Sequence, residues 1–198
     1  MEASITLKSV GVSIANKTLL ADLSFGVEKG STFVLIGKNG SGKSIILKLL
    51  VGIIEQNTGM VYIHGKDIKH RSIETRSICG YMPQTIDLDD ELTVFENLSI
   101  YGQLHGLTAD EAKKNLLHWA ELLNFTQYLK FYPNTLAYGF QRKVLFARSL
   151  VHNPKVLLLD EPTTGMDPES RNSIWNILDK MHSDKTIIFS TQNFTEAE

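Results

Sequence analysis

The chain of 198 residues contains a single cysteine, Cys79, so no internal disulfide can form. A lone thiol fits a reducing compartment. No apolar stretch approaches the roughly 18 residues of a membrane-spanning helix. Met1-Glu2-Ala3-Ser4 opens without the basic residues or apolar run of a secretory signal. A basic excess is missing too. The 20 Lys and Arg stand against 22 Asp and Glu, a net charge of −2, which argues against a general nucleic-acid binder. Lys69-His70-Arg71 is a small basic cluster that reads as solvated surface. No internal repeat, low-complexity tract or interdomain linker interrupts the sequence. What remains is an ordinary globular composition, 42% hydrophobic and 21% charged, long enough to build a core as one domain or as a domain with a subdomain. The expected location is the cytoplasm, with any membrane role reached through a partner.

Against that background one stretch stands out. Gly37-Lys38-Asn39-Gly40-Ser41-Gly42-Lys43-Ser44 matches G-x-x-x-x-G-K-[ST]. Thr32 to Ile36 before it reads as a buried strand, and Ile45 to Leu50 after it as a helix. This strand–loop–helix setting is the one the motif requires. Glycines let backbone N–H groups turn toward phosphate, and the helix N-terminus adds its positive end. Lys43 supplies a cation for the outer phosphates, and the Ser44 hydroxyl can ligate Mg²⁺. A chance match in a chain of this length is on the order of 1%.

Elsewhere the pattern alternates between strand and helix. Ile5 to Val10 reads as an edge strand and Leu23 to Val27 as a second strand, with Gly30 turning into the loop strand. Met60 to Ile63 and Ile78 to Met82 complete an antiparallel sheet beside a nucleotide core. Thr93 to Leu104 is helical, with Phe95, Leu98, Tyr101 and Leu104 as a core stripe. Thr108 to Glu111 is a capping box opening another helix that carries Leu116, Leu117, Trp119 and Ala120. Residues of about 85–150 therefore read as an inserted helical subdomain. Val156 to Leu159 is a fully apolar run suited to a parallel strand covered on both faces. Asp167-Pro168 caps a helix to about Met181, and Thr186 to Ser190 is the next strand.

The apolar run ends in Asp160-Glu161. Asp160 would orient a Mg²⁺ shell, and Glu161 could position or polarise an attacking water. Both pairs of functional residues follow strands, where ligands of open α/β sheets bind. Taken alone, two acidic residues could equally begin an ordinary loop; the upstream phosphate loop favours the functional reading.

With these motifs in order, the chain resembles the nucleotide-binding domain of ATP-binding cassette (ABC) transporters over nearly its whole length. The resemblance rests on Gly37 to Ser44, Tyr81-Met82-Pro83-Gln84, Leu136 to Phe140, Leu157 to Pro162, Thr164-Gly165-Met166-Asp167 and the region at Gln192. Leu92 to Leu98 and Ala147 to Pro154 look most like the exporter branch. It implies a P-loop NTPase core with a mixed sheet, an N-terminal antiparallel β subdomain and an inserted helical subdomain. The whole of 1–198 would be one ATPase domain, with about 1–84 and 151–198 as catalytic core and about 85–150 as the signature subdomain. It also implies roles. Gln84 would ligate Mg²⁺ and link core to helices, and 85–96 would touch the membrane subunit. Asp167 would cross a dimer interface. Leu136, Ala137, Tyr138, Gly139 and Phe140 would face the partner's γ-phosphate, so that two cassettes packed head-to-tail sandwich two ATP molecules.

Three sites depart from the family pattern. The signature usually reads Leu-Ser-Gly-Gly-Gln. Here Ala137 has no hydroxyl for phosphate, a loss of about 1.5–3 kcal/mol for a hydrogen bond to a charged group, and Tyr138 replaces a glycine. Gln192 stands where the family has a switch histidine; it can hydrogen-bond phosphate but carries no mobile proton. Ile14 stands where an aromatic stacks on adenine. The chain also ends at Glu198, just inside what reads as a helix capped by Asn193 with Glu196 three residues on, as a shortened chain or short paralogue would.

The expected function is an ATP-hydrolysing subunit working with a transmembrane permease and a second cassette, at the inner face of the membrane and without nucleic acid. Glu161 and Gln192 would be catalytic. Ser44, Gln84 and Asp160 would hold Mg²⁺. Gly37 to Ile45 and Ile14 would hold ATP. The alternatives are a nucleotide-binding regulatory subunit with little ATPase, and a soluble ABC protein acting on ribosomes or DNA. The second is disfavoured, because such proteins usually carry two cassettes or a long insertion and a basic surface.

Overall fold

The computed structural model describes residues 3–15, 17–69, 72–181 and 184–196. His70 and Arg71 of the basic cluster lie outside them. Among the described residues eight strands and six α-helices follow in order: β1 (Ala3–Ile14), β2 (Lys17–Glu28), β3 (Thr32–Ile36), α1 (Lys43–Leu50), β4 (Thr58–Ile63), β5 (Lys66–Asp67), α2 (Ser72–Ser77), β6 (Cys79–Met82), α3 (Val94–Leu104), α4 (Ala109–Leu122), α5 (Tyr138–Leu150), β7 (Val156–Asp160), α6 (Pro168–Met181) and β8 (Thr186–Thr191). The architecture is the mixed α/β class expected. Its contacts divide it into two units: Met1–Tyr81, Lys155–Asp160 and His182–Glu198 in the first, Met82–Pro154 and Glu161–Met181 in the second.

The first unit is built on two four-stranded sheets. One is antiparallel, in the order β2-β1-β4-β5, and the other runs β3-β8-β7-β6. β1 is thus interior, with β2 on one side and β4 on the other, rather than the edge strand its alternation suggested. Its length also exceeds the strict alternation. Ile5 and Leu7, then Val10 and Val12, are buried, a change of phase that a pleated strand permits only with an extra residue. Ser9 is that residue: its φ is 47° and the register slips between Leu7 and Val10.

β3 pairs with β8 and β8 with β7, all parallel. Every residue of β7 and β8 is buried, as their apolar runs demand; each fully buried Leu contributes about 1.5–3 kcal/mol. β3 differs from the buried strand expected. It is paired on one side only, Phe33, Val34 and Leu35 are half-buried, and Thr32 and Ile36 are exposed. α1 packs its Ile46, Leu47, Leu49 and Leu50 into a core that runs from Ile5 through Val61 and Ile63 to Val156, Leu158 and Ile188. Phe25 stacks on Phe33 with ring centroids 5.1 Å apart.

In the second unit α3, α4 and α5 pack on one another. Both α3 and α4 open with complete capping boxes, Thr93 with Glu96 and Thr108 with Glu111. The buried face of α3 carries Val94, Leu98 and Gly102 at a four-residue spacing, with Asn97 beside them, so the proposed stripe turns partly outward: Phe95 and Tyr101 are half-buried and Leu104 is 79% exposed. On α4, Leu116 and Ala120 are buried, Trp119 is half-buried and Leu117 is exposed. α5 is more deeply enclosed; Val144, Leu145, Phe146 and Ala147 are all buried. Asp167 caps α6, accepting the Ser170 N–H at 2.9 Å.

Candidate functional site

In the first unit the register of the parallel sheet sets Ile36 opposite Thr191 and Asp160 opposite Ser190. Three segments therefore leave the sheet at one carboxyl edge: the glycine loop after Ile36, Asp160 at the end of β7, and Gln192 after β8. Such an edge is where ligands of open α/β sheets bind.

The loop is fastened at its base, where the Gly37 N–H donates to the Thr191 carbonyl at 3.4 Å, and across itself, Ser41 N–H to Lys38 carbonyl at 3.2 Å. Gly40 and Gly42 have left-handed φ values of 78° and 98°. A Cβ on Gly42 would lie 2.9 Å from Leu20 Cδ2, whereas Gly40 faces open space and is required by its backbone alone. Lys38, Asn39, Gly40 and Ser41 form the exposed crown. Lys43 is buried, and its ammonium donates to the carbonyls of Gly37 at 2.6 Å and Lys38 at 3.2 Å. The loop thereby folds around a cation.

α1 opens at Gly42 with no side-chain cap and no acidic residue in its first turn, and its own ladder begins at Ile46 N–H to Gly42 carbonyl. A helix N-terminus left in this way suits an anion. Ser44 and Ile45 sit half-buried on that first turn. Asp160 is 1% exposed, and the Ser190 hydroxyl donates to its Oδ1 at 2.6 Å. The Ser44 hydroxyl and Asp160 carboxylate are hard oxygen donors, the type Mg²⁺ prefers. Gln192 is exposed beside Asn193, whose N–H donates to Thr191 Oγ1 at 3.0 Å. Ile14 closes β1 opposite Lys17 and is 51% exposed. At the end of the described chain, Phe194–Glu196 is a short 3₁₀ turn, with Asn193 Oδ1 accepting the Thr195 N–H and Thr191 Oγ1 donating to Glu196.

The second unit holds the other sequence-predicted residues. Gln84 is exposed and Glu161 buried. Thr164 Oγ1 donates to Glu161 Oε2 at 3.0 Å. Glu161 has a φ of 47°, a left-handed backbone in a residue that carries a side chain. Leu136 is buried, Ala137 is the N-cap of α5 and offers no side-chain cap, and Gly139 and Phe140 follow on the first turn. Phe140 packs on Tyr128 with centroids 4.5 Å apart. The Tyr138 ring covers Gly165: a Cβ there would lie 2.7 Å from its Cε1. The Ser170 hydrogen bonds, with a contribution from Lys143, hold the Asp167 carboxyl below its ordinary value.

One residue of this set has no counterpart in the sequence reading. Arg142 is fully buried and reaches both the Gln84 and the Glu161 segments. Its signal was present: it lies three and four residues before Leu145 and Phe146, on the apolar face of a helix, where a charge is buried only if paired.

A family model described as "ABC transporter" matches residues 20–164. The chain is 36% identical over 198 residues to Nod factor export ATP-binding protein I of Paraburkholderia xenovorans, covering 100% of this chain and 65% of that protein. It is 32% identical to linearmycin resistance ATP-binding protein LnrL of Bacillus subtilis, over 96% of this chain and 62% of that one. The chain thus spans less than two thirds of these relatives. Among solved structures, a bacterial ABC transporter cassette determined as a dimer superposes with a TM-score of 0.87 at 25% identity, covering 96% of this chain and 89% of that one. Among the described residues no helix is long and apolar enough to cross a membrane.

Proposed function

The chain belongs to the ABC transporter family, and from that premise we propose that it is an ATP-binding and ATP-hydrolysing subunit that drives a membrane exporter. The observation that carries the proposal is the carboxyl edge of the parallel sheet, where the glycine loop, buried Lys43, the uncapped N-terminus of α1 and buried Asp160 meet. A polyphosphate is the ligand this combination suits best. The backbone of Gly37 to Ile45 would cradle it, Lys43 would move from the loop carbonyls onto the outer phosphates, and Ile14 would pack on the base by dispersion alone.

Ser44, Asp160 and Gln84 are the oxygen donors we assign to Mg²⁺, which when bound neutralises charge on the phosphate oxygens. Glu161 would orient the attacking water and accept its proton, and Gln192 would donate a hydrogen bond to phosphate without carrying charge. We read 1–198 as one ATPase domain, about 85–150 forming its helical signature part. Leu136 to Phe140 and Asp167 would meet a second cassette head-to-tail; that a similar cassette was determined as a dimer supports the pairing of two cassettes. The segment 85–96 would meet a transmembrane permease at the cytoplasmic face. Export is favoured over import by the similarity to the Nod factor export protein.

A second reading has its own support. Ala137 offers no hydroxyl and Tyr138 lies over Gly165, so the signature differs from the family pattern at the very residues that would contact phosphate. A nucleotide-holding regulatory subunit would tolerate this. Steady-state Mg-ATP hydrolysis beside Glu161→Gln separates the two. The enzyme reading expects turnover that the substitution lowers at least about a hundredfold; the regulatory reading expects ATP to bind and no turnover to lose.

A further inference from the structure

We propose that Arg142 is a positioning residue that sets the Gln84 and Glu161 segments relative to each other from the first turns of α5. This deepens the assignment of Gln84 to the metal and Glu161 to the water, and rests on it. Arg142 is the largest fully buried side chain described in the chain, at 0% exposure. One guanidinium nitrogen, Nη1, donates to the carbonyls of Pro83 at 3.0 Å and Gln84 at 2.7 Å. The other, Nη2, donates to the Glu161 carbonyl at 2.6 Å. A guanidinium buried this deeply would be expelled unless its donors were satisfied. Here both terminal nitrogens donate to main-chain oxygens, so the amide of Gln84 and the carboxylate of Glu161 are not used up by the tie.

The Glu161 backbone needs such a tie. Its φ of 47° is one that a residue with a Cβ keeps only when its surroundings impose it. Arg142 holds the carbonyl of that residue, and the Thr164 N–H also donates to it, at 3.3 Å. The loop that follows meets α5 at two further points, Gly165 beneath Tyr138 and Asp167 beside Gly139. Arg142 therefore sits where the turn carrying Glu161, the turn carrying Gln84 and the signature helix are joined. A displacement of α5 would be passed to both carbonyls at once. The planar fork is essential to this role: lysine presents one point charge and cannot span two segments with fixed geometry.

The test is amide hydrogen exchange on the nucleotide-free full chain, for wild type, Arg142→Lys and Arg142→Met, with ATP affinity and turnover measured on the same samples. The proposal expects exchange around 84–88 and 161–166 to quicken together by about fivefold or more in Arg142→Lys while α4 is unchanged. It expects turnover to fall about tenfold or more with ATP affinity within about threefold, a split that general loss of stability does not produce. The Lys variant decides if the Met variant fails to fold. Unchanged exchange, quickening in only one of the two segments, or affinity and turnover falling in step would overturn it. If the wild-type chain binds ATP without turnover, the enzymatic reading fails, and the exchange pattern still decides whether Arg142 ties the two segments.

Discussion

Gly40 and Gly42 share a left-handed backbone but not their surroundings, and that difference is measurable. Placing a Cβ in that region costs about 1–2 kcal/mol. Gly40→Ala should pay only that, since its Cβ would meet open space. Gly42→Ala must also displace Leu20, so urea unfolding should show the larger loss for Gly42→Ala. Lys43→Ala removes the cation held by Gly37 and Lys38 carbonyls, and ATP affinity should fall at least about tenfold by equilibrium titration. Lys43 and Ser44 were singled out in the sequence because residue type and spacing define the motif they belong to. The place of Arg142 on an apolar helix face was available too, but its partners were not, because they are carbonyl oxygens that any residue could supply. Ser190 was missed as the partner of Asp160 for a related reason: the pair is made by strand register across 30 positions.

Elements were legible wherever their signals are local. The capping box at Thr108 was read correctly, and the same four-residue pattern at Thr93 to Glu96 was available too. Thr93→Ala and Thr108→Ala should each cost about 1 kcal/mol in urea unfolding. The capping hydrogen bonds from the two threonines hold the Glu96 and Glu111 carboxyls below their ordinary value of 4.5. A carboxyl lowered in the folded state stabilises it above the unfolded value and loses that contribution as pH falls through the folded one. Stability should therefore decline below about pH 4.5, and less steeply in Glu96→Gln, as unfolding midpoints at pH 6 and pH 3.5 would reveal. The bulge at Ser9 and the half-exposed β3 lay beyond local reading. Each is set by neighbours distant in sequence: β2 in the first case, and pairing on one side only in the second. The α3 stripe was misphased because a three-residue repeat drifts around a helix of 3.6 residues per turn, and the partners α4 and α5 select the four-residue face.

At the scale of the whole molecule, the proposed chemistry needs a second cassette to supply the signature. Ala137 and Tyr138 weaken what this chain can offer in return. Ala137→Ser combined with Tyr138→Gly should raise steady-state ATP hydrolysis of the chain about tenfold, the value of one restored hydrogen bond to a charged oxygen. If ATP is the adhesive between cassettes and Glu161 is what releases them, blocking hydrolysis should trap the closed state. Sedimentation velocity of Glu161→Gln with and without Mg-ATP tests this most directly. The account predicts a monomer without nucleotide, a stable dimer with Mg-ATP, and a return to monomer with Mg-ADP. A monomer under all three conditions, with ATP demonstrably bound, would contradict it.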